Sequence, residues 1–235
     1  MKTLFISIAA FLTLGAVALP LTSCRDGNDF TPRNMLQLHN GDGNTDINLA
    51  DCQFNLNNLP VENLSEAEKA SLLFMREEEK LARDAYIKFY DKWGLNVFNN
   101  IQSSEQTHMD AVLQLIQKYY LTDPVGANSV GVFADDSLQA LYNQLIPIGE
   151  QSVVNALSAG ALIEEVDIVD LKNALNGVVD NQDIQLVYDN LGRASRNHLR
   201  AMVRNLANRG VTYVPQRLSQ SEYEAIINGD WETGN

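Results

Sequence analysis

The segment from Phe98 to Tyr119 has a helical pattern that places two ionisable side chains inside an apolar stripe. Its stripe residues recur in steps of three and four and therefore share one helix face: Phe98, Ile101, Glu105, His108, Val112, Leu115 and Tyr119. A buried charge without a partner costs on the order of several kcal/mol. Glu105 and His108 therefore predict a binding site in the core, with an exposed helix turn as the alternative explanation.

Three further helices are predicted from the same period. The first begins with a capping box formed by Ser65 and Glu68, which satisfies free backbone N–H groups, and it ends at Gly94. The helices over residues 65–94, 154–175 and 184–206 each carry one ionisable residue within the apolar stripe, namely Glu79, Glu164 and His198.

These ionisable residues predict a metal centre if the stripes face one another. Without a cation, clustered carboxylates repel and take up protons, and a pair of divalent metals removes that conflict. Oxygen-rich ligands with two imidazoles suit iron first, with manganese or zinc as alternatives. A hydrogen-bonded polar core without metal is the other explanation. The predicted ligands are Glu79, Glu105, His108, Glu164 and His198, with Glu78, Glu165 and Asp167 as additional candidates.

The pattern resembles the ferritin-like superfamily, rubrerythrin in particular, and still more closely a ferritin-like domain family of unassigned function. The resemblance covers about residues 64–206 and lies in residues 75–86, Glu105–His108, the Glu164 helix and residues 195–201. It implies an all-α fold, a four-helix bundle with one long crossover connection, and a di-iron centre with oxidase or peroxidase activity. The same five residues match the ligand positions of that family.

Ser195 is the departure from this resemblance. The family has a second Glu-x-x-His motif, whose glutamate falls where this chain has Ser195, three residues before His198. The expected site therefore lacks one carboxylate. Glu78, Glu165 and Asp167 are the candidates to replace it, and a site with a single metal or with none is the alternative. Rubrerythrin's cysteine-rich iron domain is absent, so an electron partner would be a separate, unknown molecule.

The N-terminus resembles a bacterial lipoprotein signal. Lys2 precedes an apolar run from Leu4 to Leu19, and Leu21–Cys24 fits the box whose cysteine is lipidated. We predict a signal peptide over residues 1–23, lipidation of Cys24, and anchoring to a membrane of the bacterial cell envelope. A simple secretory signal is the alternative.

Residues 24–60 are predicted to be a flexible tether between the membrane and the domain. Asn, Asp and Gly are frequent, as in residues 40–44, and no period of strand or helix persists. His39 is expected to be solvated. Cys52 has no intrachain partner if Cys24 is lipidated, so no disulfide is expected in the fold.

The domain is predicted to span residues 61–207. Pro124, Gly126 and Gly131 indicate a loop before a short helix over 138–145 that is stopped by Pro147. Residues 208–235 are predicted to be an extension that packs on the bundle through an extended segment and a short helix over 219–227. Its predicted contact residues are Tyr213, Leu218, Tyr223 and Ile226.

The charge balance restricts the partners. Lys plus Arg number 17 and Asp plus Glu number 30, giving a formal charge of -13. Nucleic acid is therefore not expected, because phosphate contact needs a basic surface. The expected partners are the membrane, through the lipid, and a second copy of the chain in a homodimer. The main alternative to a metal protein is a non-enzymatic envelope module that uses its helices for protein interaction.

Overall fold

Seven helices and one β-hairpin make up the part of the chain that the computed structural model describes, residues 30–39 and 42–234. The described residues from Pro32 onward form one compact unit. The predominance of helices agrees with the predicted all-α class. The predicted signal peptide over 1–23 and the lipidation site Cys24 lie outside the described residues.

The four long helices have the starts and stops that their sequences predict. Ser65 caps α2 in a reciprocal capping box with Glu68, and Gly94 ends α2 in the left-handed conformation at φ 63°. Ser152 caps α5 by accepting from the Asn155 N–H. The helix bounds are Glu66–Trp93 for α2, Asn96–Lys118 for α3, Val153–Gly177 for α5 and Gln182–Ala207 for α6.

The four long helices pack against one another around a shared interior. Helix α2 contacts α3 and α5, and α6 contacts α5 and α3. Tyr86 of α2 contacts Gly160 of α5, whereas Glu78, two turns earlier, contacts Asp170. Helices α2 and α5 therefore run antiparallel, and the chain between α3 and α5 must return along the length of the helices.

That returning connection contains α4, Asp136–Gly149, which packs on α2 and α5. The predicted stop at Pro147 is wrong, because α4 continues through Pro147 to Gly149. A proline removes one helical hydrogen bond but does not forbid a further turn. Gly149 lies so close to the Phe89 ring that a Cβ would be 2.3 Å from its Cε1 atom. This packing on α2 stabilises the last turn.

The flexible tether predicted for residues 24–60 is wrong for residues 36–58. Strands β1, Leu36–His39, and β2, Asn44–Ile47, form an antiparallel hairpin in which Leu36 pairs with Ile47, and α1 spans Leu49–Asn58. The backbone of β2 is held by α3, since Thr45 N–H donates to Ser104 Oγ at 2.9 Å and Ile47 N–H to Thr107 Oγ1 at 2.8 Å.

The composition of this segment has a structural cause. Asn48 caps α1 by accepting from the backbone of Ala50 and Asp51, and Asp42 and Gly43 lie in a turn directly before β2. Cys52 is fully buried in α1 and unpaired. Residues that form turns and caps are polar, so this folded segment has a composition that is also typical of a flexible linker.

The C-terminal extension includes α7, Gln220–Ile227, capped by Ser219 and Glu222. The side chains expected to contact the bundle are all buried in one hydrophobic cluster with residues of the long helices: Tyr213, Leu218, Tyr223 and Ile226. Within the described residues, every helix is too short or too polar to cross a bilayer.

Candidate metal centre

The predicted ligand residues meet in the interior between the four long helices. Helix α2 contributes Glu79, α3 contributes Glu105 and His108, α5 contributes Glu164 and α6 contributes His198. Each of these residues is at most 2% exposed. The stripes therefore face one another, as the helical period requires.

Glu105 lies between the two imidazoles. Its Oε2 atom is 2.9 Å from His108 Nδ1, and its Oε1 atom is 2.9 Å from His198 Nδ1. The ligand atoms of these three residues all lie within 4.8 Å of one another. One carboxylate thus contacts both imidazoles with its two oxygens.

A second carboxylate flanks each imidazole. Glu79 Oε2 is 3.4 Å from His108 Nδ1, and Glu164 Oε2 is 3.4 Å from His198 Nδ1. We define the first half-site as Glu79, His108 and Glu105 Oε2, and the second half-site as Glu164, His198 and Glu105 Oε1. The two rings stack with centroids 5.4 Å apart. The cluster is therefore close to symmetric about Glu105.

The hairpin orients one of the imidazoles. His108 Nε2 lies 2.8 Å from the backbone carbonyl of Thr45, on β2. An amide oxygen can only accept, so Nε2 carries the proton. In the neutral ring Nδ1 then presents its lone pair to the centre, as metal-ligating histidines commonly do when the other nitrogen is held.

Several buried atoms of the cluster have no hydrogen-bond partner among the described residues. They are both carboxylate oxygens of Glu79, both ring nitrogens of His198, and Asp167 Oδ1. The 2.9 Å approach of Glu105 to His198 Nδ1 is thus close in distance without hydrogen-bond alignment. Leaving so many buried polar atoms unpaired is costly, about 1–3 kcal/mol for each group.

The charges of the cluster are coupled. Burial opposes ionisation of Glu105, but positive His198 and His108 outweigh it and lower the pKa of Glu105. Burial likewise opposes protonation of the histidines, yet Glu105 and Glu164 raise the pKa of His198 to about 9. Glu105 and Glu79 raise the pKa of His108 well above its usual value. Without a cation, the imidazoles therefore hold protons to balance Glu105.

The pKa values of Glu79 and Glu164, the carboxyl groups that flank the imidazoles, are shifted in the opposite direction to that of Glu105. Burial, with a smaller contribution from the Glu105 charge, raises the pKa of Glu79 well above its usual value. Burial also raises the pKa of Glu164, partly offset by His198. Positive charge within the cluster would relieve this penalty on both groups.

Asp167 lies at the cluster beside Ser195. Ser195 Oγ donates to the Asp167 carboxylate, and Asp167 is 5% exposed. Burial, followed by the nearby charges of Glu79, Glu164 and Glu105, raises the pKa of Asp167 well above its usual value. Helix α5 therefore supplies a carboxylate next to the position where α6 lacks one.

Glu165 was also expected near the centre, and that expectation is wrong. Its carboxylate accepts from Tyr213 Oη at 2.6 Å and from the backbone N–H groups of Gln216, Arg217 and Leu218. One residue along a helix turns a side chain by about 100°, which points Glu165 at the C-terminal extension. Glu165 therefore binds the C-terminal extension instead of contributing to the metal centre.

Two contacts to the cluster were beyond sequence reasoning. The Thr45 carbonyl is a backbone group and leaves no residue-type signal. Tyr86 donates from its hydroxyl to Glu164 and lies 3.2 Å from the Gly160 carbonyl. Its position two turns after Glu79 was the available signal.

Comparisons with known proteins place these residues in a family. A family model described as an uncharacterized protein domain, DUF2202, matches residues 68–230, which include all five clustered residues. The chain is 51% identical over 179 residues to the uncharacterized protein MJ0754 of Methanocaldococcus jannaschii, covering 76% of this chain and 96% of that protein. It is also similar to the crystal structure of hypothetical protein MJ0754 from Methanococcus jannaschii DSM 2661. That similarity has a TM-score of 0.72 and 52% identity, over 74% of this chain and 99% of the other.

Proposed function

The chain belongs to the DUF2202 family, and we propose that it is a cell-envelope lipoprotein whose helices hold a pair of divalent metal ions. Iron is the leading metal, with manganese or zinc as alternatives. The proposal depends mainly on one observation. Glu105 extends one oxygen toward each of two buried imidazoles, and the neighbouring Glu79 and His198 have no hydrogen-bond partner among the described residues.

The donor set fits two ions, and Glu105 would contribute one oxygen toward each of them. One ion would be held by the first half-site and the other by the second, so that each ion receives one imidazole nitrogen and two carboxylates. Bound cations would offset the cost of burying these acids and would replace the protons on the imidazoles. Oxygen-rich ligands with imidazole favour iron or manganese. Cys52 lies in α1 and is not part of this donor set.

Asp167 completes the proposed ligand set. The ferritin-like resemblance led us to expect a glutamate at position 195. The hydroxyl of Ser195 instead donates to Asp167, whose Oδ1 atom lacks a hydrogen-bond partner among the described residues. We assign Asp167 the place of the missing carboxylate, contributed by α5 instead of α6.

We also propose that the four long helices form a ferritin-like bundle. The support is the pairing of α2 with α3 and of α5 with α6, the antiparallel course of α2 and α5, and the long connection between α3 and α5. This topology agrees with a four-helix bundle that has one crossover connection.

The chemistry follows from the proposed metals. A di-iron pair held by these residues would supply two electrons, from iron(II) to iron(III), for reduction of dioxygen or peroxide, and a separate electron partner would return them; this is the oxidase or peroxidase activity that we propose. The residues of the chain have separate tasks. Glu105 fixes the spacing of the half-sites, Thr45 orients the His108 ring, and the Tyr86 hydroxyl holds a proton against Glu164. The apolar packing of the helices excludes bulk water from these groups.

The envelope location is proposed from the sequence of residues 1–24. Cys24→Ala would remove the lipidation site, and the acyl chains supply the affinity for the membrane. We expect the wild-type chain in the membrane fraction and the variant in the soluble fraction, each with unchanged circular dichroism. A variant that still sediments with membranes would contradict the lipoprotein assignment.

Elemental analysis tests the metal proposal directly. The full chain would be purified in detergent without chelators, reconstituted anaerobically with iron(II), and analysed for iron, manganese and zinc. We expect about two equivalents of metal per chain. Less than about a tenth of an equivalent of each metal would contradict the proposal and favour a non-enzymatic helical module for protein interaction.

A further inference from the structure

Glu78 is a buried acid that the two half-sites do not use. It is 4% exposed on α2, and among the described residues neither of its carboxylate oxygens has a hydrogen-bond partner with normal geometry. It precedes Glu79 in the chain, but the charged groups that raise its pKa, beyond the effect of burial, are Asp167 and Asp170 of α5. An acid in this position is costly to bury unless a proton or a cation accompanies it.

Asp170 connects Glu78 to the protein surface. It is half-buried, lies one helical turn after Asp167, and its side chain contacts Glu78. Asp167 in turn lies at the metal centre, beside Ser195 and within the electrostatic reach of Glu79, Glu164 and Glu105. Three carboxyl groups thus follow one another from the surface to the centre.

We propose that Asp170, Glu78 and Asp167 form a path by which a divalent cation passes from solvent to the metal centre. We call these residues the cation path. Asp170 would meet the hydrated ion, Glu78 would exchange carboxylate oxygen for water ligands, and Asp167 would deliver the ion to the half-sites. The formal charge of -13 raises the local cation concentration around the protein.

The arrangement suits passage more than storage. In the described part of the chain, the group of converging ligand atoms contains both imidazoles, whereas the charges that act on Glu78 are those of two other acids, Asp167 and Asp170. Carboxylates without an imidazole would bind a passing ion more weakly than the centre does, and the ion would move on to the site with more ligands. This inference rests on the proposed metal function.

Cobalt(II) loading tests the cation path on the full chain in detergent. Stopped-flow absorbance would follow the d–d bands that develop as cobalt(II) binds. The variants are Glu78→Gln and Asp170→Asn, which keep side-chain volume but remove the charge, and Asp170→Glu, which keeps a carboxylate. The control is Asp91→Asn, an exposed acid on the same helix as Glu78. Circular dichroism would confirm that each variant is folded.

We expect wild type, Asp170→Glu and Asp91→Asn to load at similar rates and reach the same final cobalt content. Glu78→Gln and Asp170→Asn should reach that content at least about tenfold more slowly, since charge-guided association is accelerated by about this factor or more. Equal loading rates for folded Asp170→Asn and wild type would overturn the cation path while leaving the metal centre intact. Wild type that binds no cobalt would overturn the metal centre itself, and the path with it.

Discussion

His108 donates from Nε2 to the backbone carbonyl of Thr45 over 2.8 Å, which ties a buried histidine of α3 to the N-terminal hairpin. His198, the other buried imidazole, has no hydrogen-bond partner for its Nε2 among the described residues. The two half-sites therefore differ in how firmly their imidazoles are held. A hydrogen bond to the outer nitrogen of a metal-bound histidine commonly changes metal affinity by about 10–100-fold.

We predict that the first half-site fills before the second. Anaerobic titration of the full chain should give two steps whose dissociation constants differ by about 10–100-fold. His198→Ala should keep the tighter step, and His108→Ala should lose it. His39→Ala is the matched control, because His39 is an exposed histidine of the hairpin with its side chain 49% exposed. Loss of the tighter step in His198→Ala, with retention in His108→Ala, would contradict this assignment.

Glu105→Gln should reduce metal binding at both half-sites at once. The amide has one oxygen and no charge, so it cannot serve both ions or balance two imidazoles. We expect the metal content to fall from about two equivalents to less than about half an equivalent. Glu165→Gln is the control, because Glu165 is equally buried but bonds to the C-terminal extension. Folded Glu105→Gln with a full complement of metal would show that Glu105 is not the bridge.

Metal binding should strengthen as pH rises. The pKa of His198 is about 9 without metal, against an ordinary 6.5, so a cation must displace its proton. Each proton displaced makes the apparent affinity rise about tenfold per pH unit. Isothermal titration calorimetry in buffers of different ionisation enthalpy would count the protons released. A pH-independent affinity between about pH 6 and 8 would contradict the assignment.

The stability of the metal-free protein should change with pH in the opposite direction. The raised pKa of His198 contributes stability that is fully present below 6.5 and is lost as pH rises toward about 9. The raised pKa values of Glu79 and Asp167 act in the same sense, because ionising these buried acids destabilises the fold. The gap in Tm between metal-loaded and metal-free protein should therefore widen with pH. Scanning calorimetry of both forms would measure it.

Substitutions that move the carboxylate from position 167 to position 195 test whether Asp167 takes the place of the glutamate that α6 lacks. Asp167→Ser alone should weaken metal binding by about 10–100-fold. Ser195→Glu alone should place a second acid against Asp167 and lower the Tm of the metal-free protein. The double variant D167S/S195E keeps one carboxylate in this region and should recover most of the affinity. Unchanged affinity in folded Asp167→Ser would remove Asp167 from the ligand set.

The helices and the clustered residues could be predicted because both depend on one local periodicity. The steps of three and four place Glu79, Glu105 and His198 on inward faces, and burial makes that pattern strong in the sequence. Ser65 and Gly94 could also be predicted as capping residues, since each caps backbone groups within a few residues of its own position.

The hairpin could not be predicted because its stability comes from other parts of the chain. Its strands are four residues long, and their backbone groups are satisfied by Ser104 and Thr107 of α3. Choosing between Asp167 and Glu165 also required tertiary structure. Both lie near Glu164 in sequence, but only the packing of the C-terminal extension assigns Glu165 elsewhere.

The contacts of Asn197 have a consequence for the order in which this protein is completed. Asn197 precedes His198, and its side chain exchanges hydrogen bonds of 2.8 and 2.9 Å with the backbone of Glu232. Thr45, near the start of the described residues, orients the imidazole of His108. Residues made early and residues made late in translation thus support adjacent ligands. A nascent chain that already contains all the clustered residues still lacks the Asn197 contact until Glu232 has been made, so the centre matures only after that residue has been added.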